Sequence, residues 1–347
     1  MVEVINRVEP RSDPASVPKA QGLRVLYVFP GEAEGSAMIF ASKQVEAMRE
    51  LGVVSEIFAL ESRTDLARLL RESRRFRQCV ASCRPDLIHA QYGTVTALFA
   101  SLMATIPLVI TFRGSDLNPA PSDPWLRSLV RRWLSQYAAR KAVRMICVSQ
   151  GLKRRLWWRR DRALVLPSGV DTEVFVPRSL SEARAELGWG VSERIVLFNA
   201  GLSPAVKRLD LAQAAVAKAE EVCGPIRLAL LDGRVPQDKV VTMMNGADCL
   251  LMTSDWEGSP TIVQEAMACN LPVLSVDVGD VRERLAGVTP SGLVGRNPAE
   301  MAQVLAAWLA APRRSNGREC IATVAQAHIA RQTLAVYHAA LANGAPC

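Results

Sequence analysis

The sequence lacks any run of about 18 or more uncharged apolar residues, which is the length that a membrane-spanning helix needs. Residues 1–21 also lack the continuous apolar stretch of a secretory signal and carry acidic residues and prolines instead. We therefore expect a cytoplasmic protein with no spanning helix, in which residues 1–21 form a disordered lead-in.

Patterns that bind metals or form disulfides are scarce as well. The chain has only three histidines, widely separated, and none of its eight cysteines belongs to a CxxC pair. Several cysteines lie inside apolar runs, as Cys147 and Cys249 do, which indicates buried and reduced thiols. The spacing therefore predicts neither a metal site nor a disulfide framework.

What the sequence does contain is enough apolar material for two cores. The chain has 347 residues, of which 49% are hydrophobic, and this length exceeds what one core usually serves. Short β-branched runs alternate with helix-length segments, and this alternation predicts α/β domains with parallel sheets. The predicted strands are Arg24–Phe29, Val53–Leu60, Leu87–Ala90, Leu108–Phe112, Met145–Val148, Ala163–Leu166, Arg194–Asn199, Ile226–Leu231, Asp248–Thr253 and Leu271–Val276.

The domain boundary is predicted where this alternation breaks. We expect two Rossmann-like domains, at residues 22–166 and 191–315, with residues 167–190 as the linker and residues 316–347 as a C-terminal segment. Residues Arg318–Ala342 are predicted to form one helix that packs across the domain junction. The two sheets would face a central cleft, because ligands of open α/β sheets bind at the carboxyl ends of the strands.

Basic residues are clustered in the first half of a chain whose net charge is +8. The segment Lys153–Arg162 combines arginines with Trp157 and Trp158, a composition that favours an anionic membrane interface over a nucleic-acid groove. The alternative interpretation is a set of solvated helix faces with the two tryptophans packed inward. No aromatic or helix-turn-helix platform accompanies the clusters, so nucleic-acid binding is disfavoured.

The segment most informative about chemistry is Ser254–Asp280. Ser259 is predicted to cap a helix whose first residue is Pro260, so the amides at the helix start can bind a phosphate. Glu257 precedes this helix and Glu265 lies within it, about 7.5 Å along the axis from Pro260. The two carboxylates could bracket a diphosphate and contact hydroxyl groups at its two ends. Taken alone, such a pair is equally a loop glutamate and a helix-surface glutamate.

Four further segments give this pair a context. The spacing EGSPTIVQEAMA (Glu257–Ala268) resembles the signature of glycosyltransferase family 4, which has the GT-B fold. Four other segments resemble segments of that family and occur in the same order along the chain. They are DLIHAQYG (Asp86–Gly93), VITFRGSDLN (Val109–Asn118), LPSGVDTEVFVP (Leu166–Pro177) and FNAGLSPAVKRLDL (Phe198–Leu211). The resemblance covers about residues 22–310 and is nearest to bacterial enzymes that build exopolysaccharide, teichuronic acid or related cell-surface glycans.

The resemblance implies a role for each of these residues. Lys207, with the helix start formed by Ser259, Pro260 and Thr261, would neutralise the diphosphate of a UDP- or GDP-sugar, so that neither a cofactor nor a metal ion is required. Glu257 and Gly258 would orient the transferred sugar, and Glu265 would hold the ribose. The base would lie near Gly233–Val235. The first loop, from Gly31 to Gly35, would let the backbone approach the leaving phosphate or the acceptor.

The sequence also departs from the family pattern. Gly201 and Leu202 stand where family members carry arginine, for which Arg208 is the candidate replacement. Arg113 stands where a histidine is common; it can bind an oxyanion but cannot transfer a proton near neutral pH. His89 belongs to another strand end, and we interpret it as a histidine whose hydrogen bonds are satisfied at the edge of the cleft. The segment between Leu231 and Asp248 is short, which predicts a reduced base-binding loop.

The resemblance therefore implies a retaining transferase that moves a sugar to a lipid-linked or polysaccharide acceptor, at the inner face of the cell membrane. A second hypothesis is a catalytically weakened nucleotide-sugar-binding subunit of an assembly complex. A nucleotide-sugar 2-epimerase would share the architecture, but the Glu-x7-Glu spacing followed by EAMA favours a transferase.

Overall fold

The structure, a computed structural model, describes residues 22–31, 38–61, 65–118, 124–201 and 204–342. The predicted lead-in at residues 1–21, Gly35 and Leu202 lie outside these ranges. The described chain forms two compact units. The N-terminal unit comprises residues 22–169 and 326–342, and the C-terminal unit comprises residues 170–325.

The N-terminal unit is built on a parallel sheet of six strands. They are β1 (Arg24–Pro30), β2 (Val54–Leu60), β3 (Leu87–Ala90), β4 (Leu108–Phe112), β5 (Arg144–Cys147) and β6 (Ala163–Val165). Their order in the sheet is β2-β1-β3-β4-β5-β6. The helices that alternate with them are α1 (Ile39–Glu50), α2 (Leu66–Cys83), α3 (Thr94–Met103), α4 (Trp125–Lys141) and α5 (Gln150–Arg155).

The C-terminal unit repeats this design with five strands. They are β7 (Arg194–Asn199), β8 (Ile226–Leu231), β9 (Cys249–Met252), β10 (Val273–Ser275) and β11 (Gly292–Leu293), in the order β11-β10-β9-β7-β8 and all parallel. The helices are α6 (Leu180–Leu187), α7 (Pro204–Lys207), α8 (Leu209–Cys223), α9 (Gln237–Gly246), α10 (Thr261–Ala268), α11 (Val281–Arg284) and α12 (Pro298–Ala310). The predicted fold class, α/β with two parallel-sheet Rossmann-like domains, is confirmed.

Strand alternation explains why helices cover both faces of the N-terminal sheet. In β1, Val25 and Tyr27 belong to one apolar cluster, whereas Leu26 and Val28 belong to the cluster on the opposite face. Successive side chains of a strand point to opposite faces, so a continuous apolar run needs a covering layer on each side. All ten predicted strands are present with small shifts at their ends, and only the two-residue β11 was not predicted.

The chain returns to the N-terminal unit for its last helix, α13 (Gln326–Ala342). This helix packs against α1 and buries Leu334 and Tyr337 in the same cluster as Tyr27. The C-terminal helix therefore completes the core of the N-terminal unit.

The prediction of one helix from Arg318 onward is wrong at its beginning. Residues Gly317–Cys320 and Ala322–Val324 form two short 3-10 turns, and α13 starts only at Gln326. Arg318 explains the interruption, because its guanidinium donates to the carbonyl oxygens of Phe175 at 2.7 Å and Thr172 at 2.9 Å. These bonds hold the segment against the loop that opens the C-terminal unit.

Candidate functional site

The candidate site lies at the carboxyl ends of β7 and β9, which are neighbours in the C-terminal sheet. β7 leads through Gly201 to α7, whose last residue is Lys207, and β9 leads into the loop that carries Glu257. Because parallel neighbours end at the same edge of a sheet, these two segments meet there. Lys207 Nζ lies 2.5 Å from Glu257 Oε1, and the side chains are 22% and 14% exposed.

The backbone between β9 and Glu257 is fixed by hydrogen bonds from three directions. The Thr253 hydroxyl donates to the Lys207 carbonyl oxygen at 2.8 Å. The Asp255 amide donates to the Val206 carbonyl oxygen at 3.0 Å, and the Arg296 guanidinium donates to the carbonyl oxygens of Thr253 and Ser254. The loop is therefore hydrogen-bonded to the segment that ends in Lys207, so the two residues of the ion pair lie on backbone segments that hold each other in place.

Arg208 has a different environment from the one expected of it. Its guanidinium pairs with the carboxylate of Asp210 at 2.8 Å and with that of Asp255 at 3.3 Å. Its backbone has φ = 57°, in the left-handed region, so its side chain starts in another direction from that of Lys207. Two carboxylates already neutralise its charge, so the structure offers no separate support for a phosphate role, and that role stays a prediction.

The start of α10 corrects one prediction. The helix begins at Thr261 with Pro260 as its N-cap residue and no side-chain capping bond, so Ser259 is not the cap. The Ser259 hydroxyl donates instead to Asp280 Oδ2 at 3.0 Å and accepts from Gln264 Nε2 at 3.1 Å. The sequence pattern of a cap depends only on neighbouring residues. Asp280 lies in the loop after β10 and accepts the hydrogen bond of the Ser259 hydroxyl, so this hydroxyl does not cap the helix. The absence of a side-chain cap leaves the amide end of this helix to other acceptors.

Asp280 is a buried carboxyl group that the sequence analysis did not select. It is 3% exposed, and burial raises its pKa to about 6, opposed by the nearby Arg284 and by the hydrogen bond from Ser259. Arg284 Nε lies 3.2 Å from its Oδ2. Its other oxygen, Oδ1, is buried without a hydrogen-bond partner among the described residues, as are Gln264 Oε1 and Ser254 Oγ. Most buried polar atoms are hydrogen-bonded, so these three atoms are exceptions that a bound ligand or water could satisfy.

Gly279 shows how closely this loop is packed. Its φ is +64°, and a Cβ atom built on it would lie 2.9 Å from the Gly258 carbonyl oxygen and 3.2 Å from Glu257 Cβ. A side chain would therefore push directly on the two residues expected to orient the sugar.

The remaining predicted residues of the C-terminal unit lie on α10, in the loop that carries Glu257 and in the loop after β8. Glu265 and Thr261 are half-buried on α10, and Gly258 is buried. Gly233 has φ = +81° in an exposed five-residue loop between β8 and α9, where Asp232 accepts from the Arg234 amide at 2.9 Å. Val235 packs partly against the core. The short loop agrees with the predicted reduction of the base-binding segment.

In the N-terminal unit, Arg113 is held in place by several acceptors. Its guanidinium donates to the Gln91 carbonyl oxygen at 3.1 Å, to Gln44 Oε1 at 3.0 Å and to the Gln91 side-chain oxygen, and it lies 4.6 Å from the centre of the Phe40 ring. Burial lowers its pKa to about 10, so it stays charged at neutral pH. It lines a small pocket, partly open to solvent, together with Phe40, Lys43, Gln44, Thr111 and Ser168.

Asp116 organises the turn that carries Arg113. It is 1% exposed and accepts from the amides of Arg113, Gly114 and Gly93 at 2.9, 2.8 and 3.1 Å. Burial raises its pKa, and these amide bonds oppose the shift. The signal in the sequence was the spacing in FRGSD, in which an aspartate follows a strand end by four residues.

His89 is a satisfied histidine, as interpreted from the sequence. It is fully buried, with Nδ1 2.7 Å from the Tyr337 hydroxyl and Nε2 2.7 Å from the Thr111 hydroxyl. Burial, with a smaller effect of the Arg113 charge, lowers its pKa to about 3. The imidazole is therefore uncharged at neutral pH and joins α13 to the sheet.

Gly31 lies at the end of β1, and Gly35 is outside the described residues. The Gly31 backbone has φ = +79°, its amide donates to the Leu60 carbonyl oxygen at 2.9 Å, and no atom of the described residues lies within 4 Å of a Cβ built on it. The open space beside it is what a close backbone approach to a ligand requires.

Two general features concern only the described part of the chain. Within it, no group of three or more His, Cys, Asp or Glu side chains could hold a metal ion. No helix in the same ranges is long and apolar enough to cross a membrane.

In comparisons with known proteins, two family models match parts of this chain. Residues 19–174 match Glycosyltransferase Family 4, and residues 229–316 match Glycosyl transferases group 1. A Bacillus subtilis protein named as a teichuronic acid biosynthesis glycosyltransferase, TuaC, is 28% identical over 222 residues, which cover 57% of this chain and 54% of TuaC. The chain thus spans little more than half the length of this curated relative.

The fold has counterparts among solved structures. Sucrose-phosphate synthase from Thermosynechococcus elongatus superposes with a TM-score of 0.79 at 17% identity, covering 93% of this chain and 100% of that one. HepE from Anabaena, solved in complex with UDP, gives a TM-score of 0.71 at 17% identity, covering 91% and 100%. The two family matches follow one another along the chain in the order of its two parallel-sheet units, and the chain belongs to the group 1, family 4 glycosyltransferases of the GT-B fold.

Proposed function

We propose that the protein is a retaining glycosyltransferase that moves a sugar from a nucleotide-diphosphate sugar to a lipid-linked or polysaccharide acceptor during cell-surface glycan synthesis. The observation that carries this proposal is the Lys207–Glu257 ion pair beside the uncapped start of α10. It combines a cation, a carboxylate and helix-start amides at the edge where α/β sheets bind their ligands.

Each part of this arrangement has a task in the proposed reaction. Lys207 exchanges Glu257 for the donor diphosphate, whose negative charge grows as the bond to the sugar breaks. Glu257, released from the ammonium group, accepts hydrogen bonds from sugar hydroxyl groups. Glu265 holds the ribose hydroxyl groups from further along α10. Charge neutralisation by Lys207 and the amides is the reason to propose transfer without a metal ion.

The acceptor half of the reaction is assigned to the N-terminal unit. Arg113 keeps its positive charge and lines a pocket with Lys43, Gln44 and Ser168, a lining suited to oxygen-rich or phosphorylated acceptors. An arginine there binds an oxyanion without transferring a proton. The departing phosphate then has to take the acceptor proton on the face that it leaves, which retains the anomeric configuration.

The test is a thermal-shift screen of UDP-, GDP- and ADP-sugars with wild type, Lys207→Ala and Glu265→Ala. A ligand at about 100 times its dissociation constant adds roughly 2.7 kcal/mol of stability. We expect one nucleotide class to stabilise wild type and the exposed control Lys218→Ala, but neither site variant. Transfer in the presence of EDTA, with the anomeric configuration of the product read by NMR, tests the metal-free and retaining parts.

A second function is favoured by one observation. Arg208, the candidate replacement for the family arginine, is neutralised by Asp210 and Asp255. The chain could then bind nucleotide sugar as a weakened partner subunit of an assembly complex. Donor-dependent stabilisation with no transfer or donor hydrolysis by the isolated chain would favour this function, and measurable sugar transfer would reject it.

A further inference from the structure

Helix α4 presents its large apolar side chains to solvent. Its buried residues are small or polar, namely Ser135, Gln136, Ala138 and Ala139. Six of its seven large apolar residues are between 40% and 76% exposed; they are Trp125, Leu126, Leu129, Val130, Trp133 and Tyr137. The seventh, Leu134, is half-buried. The helix therefore packs against α3 and the core of its unit mainly through small and polar side chains, which give little hydrophobic stabilisation, and its other face stays in contact with water.

The six exposed apolar residues form one continuous surface. At 100° per residue they fall within an arc of about 140°, and from Trp125 to Tyr137 they extend about 18 Å along the axis. We call these six residues the α4 surface. A surface of this length and width is larger than the scattered exposed apolar residues of ordinary proteins.

The residues around the α4 surface are cationic. The helix contains Arg127, Arg131, Arg132, Arg140 and Lys141 and no acidic residue. Two of these arginines stack on tryptophans of the neighbouring segment, with Arg132 5.2 Å from the Trp157 ring centre and Arg140 5.3 Å from that of Trp158. This pattern of apolar and aromatic residues edged by arginine is typical of helices that lie in a membrane interface.

The aromatic contacts also change which part of the chain we expect to contact a membrane. Trp157 and Trp158 are half-buried, and the Trp157 ring packs edge-on against Trp133 at 4.7 Å. These two tryptophans support the base of α4 and do not project from the segment Lys153–Arg162. That segment has four exposed arginines, Arg154, Arg155, Arg159 and Arg160, which add cations near the two tryptophans in sequence.

We infer that the α4 surface inserts into the interface of an anionic lipid bilayer, with the helix lying in the membrane plane and its arginines on the lipid headgroups. The charge of α4 favours a lipid bilayer over a second copy of the chain as the partner of this surface. A second copy packed on this face would bring the five cations of each α4 together with no acidic residue of the helix to neutralise them, whereas anionic headgroups neutralise them directly. The inference rests on the lipid-linked acceptor of the proposed function but not on sugar transfer.

The experiment is flotation of the full chain with two kinds of vesicle, one of phosphatidylcholine alone and one that also contains phosphatidylglycerol. We expect wild type to float with the anionic vesicles only. The variant Trp125→Ser/Leu126→Ser/Leu129→Ser is expected to lose membrane partitioning by about tenfold or more. The control Val191→Ser/Val222→Ser removes two residues that are 71% and 73% exposed in the C-terminal unit and should float as wild type. The variant Arg154→Gln/Arg155→Gln should weaken binding and keep it detectable.

Other outcomes would overturn the inference. These are flotation of the α4 variant at the wild-type level, equal recovery of wild type with both vesicle types, and absence of wild-type flotation. A wild-type dimer in analytical ultracentrifugation that the α4 variant converts to monomer, with flotation unchanged, would assign the surface to a second copy. Stabilisation of every variant by the donor nucleotide, measured in parallel, shows that the variants fold and keeps a failure of membrane docking separate from a failure of the proposed transfer.

Discussion

Lys207 and Glu257 lie 50 positions apart in sequence, and their side chains meet at 2.5 Å. The two residues neutralise each other in a partly buried setting. A diphosphate that binds Lys207 would compete with this carboxylate for the ammonium charge. The ion pair is therefore a competitor of the proposed donor as well as part of its site.

This competition gives the first prediction. Glu257→Gln removes a negative charge beside the proposed diphosphate and leaves Lys207 available, so affinity for the free nucleoside diphosphate should rise several-fold, equivalent to about 1 kcal/mol. Sugar transfer should fall by about tenfold or more, because the carboxylate that orients the sugar is lost. Isothermal titration with the nucleotide selected by the thermal-shift screen measures the first effect, and turnover of its sugar measures the second.

Glu221→Gln is the matched control, since Glu221 is exposed on α8. It should leave both affinity and turnover unchanged. A Glu257→Gln protein that binds the diphosphate more weakly than wild type would contradict the competition.

The second prediction concerns the contact between Gly279 and the Glu257 loop. Gly279→Ala places a methyl group 2.9 Å from the Gly258 carbonyl oxygen in a backbone with φ = +64°. It should lower the free energy of unfolding by more than the roughly 1–2 kcal/mol that the left-handed backbone alone costs. It should also weaken nucleotide binding, because the loop has to shift. Urea unfolding and titration calorimetry measure the two effects.

Gly188→Ala separates the collision from the backbone strain. Gly188 has a nearly identical φ of +66°, and nothing lies within 4 Å of a Cβ built there. It should show the backbone cost and normal nucleotide affinity. Equal effects of the two substitutions would mean that packing of Gly279 on the loop is unimportant.

The third prediction is a dependence of stability on pH through His89. Its pKa is about 3 in the folded protein, against about 6.5 in an unfolded chain. Between these values the unfolded state binds a proton that the folded state does not, so the contribution of His89 to stability is greatest above about pH 6.5 and falls as the pH decreases. His89→Gln should remove about 2 kcal/mol of the loss between pH 7 and pH 5, as measured by urea unfolding at each pH.

The neighbours of His89 do not share this titration. Burial raises the pKa of Tyr27 to about 12 and also raises the pKa of Tyr337, and Arg113 stays charged, so none of the three changes its charge between pH 5 and pH 7. His338→Gln, on the exposed side of α13, is the control that should follow wild type. Parallel stability curves for His89→Gln and wild type would refute the assignment.

The sequence by itself determined the strands, their grouping into two parallel-sheet units and the segments that carry the candidate site. These follow from local patterns, since a run such as LVITF of β4 is apolar on both faces wherever it folds. The order of Lys207 and Glu257 after two strand ends is equally local. Their proximity follows once parallel strands are assumed to end at one edge.

Only the tertiary structure decided which polar and charged side chains pair with one another. Ser259 has the sequence of a helix cap, but its hydroxyl is taken by Asp280, which comes from a different loop. Arg208 has the sequence of a phosphate ligand, but Asp255 arrives from the β9 loop to pair with it. Helix α4 buries small and polar residues and leaves two tryptophans and two leucines exposed. Hydrogen bonds, charge pairs and the choice of buried face depend on partners distant in sequence, and those partners are set by packing alone.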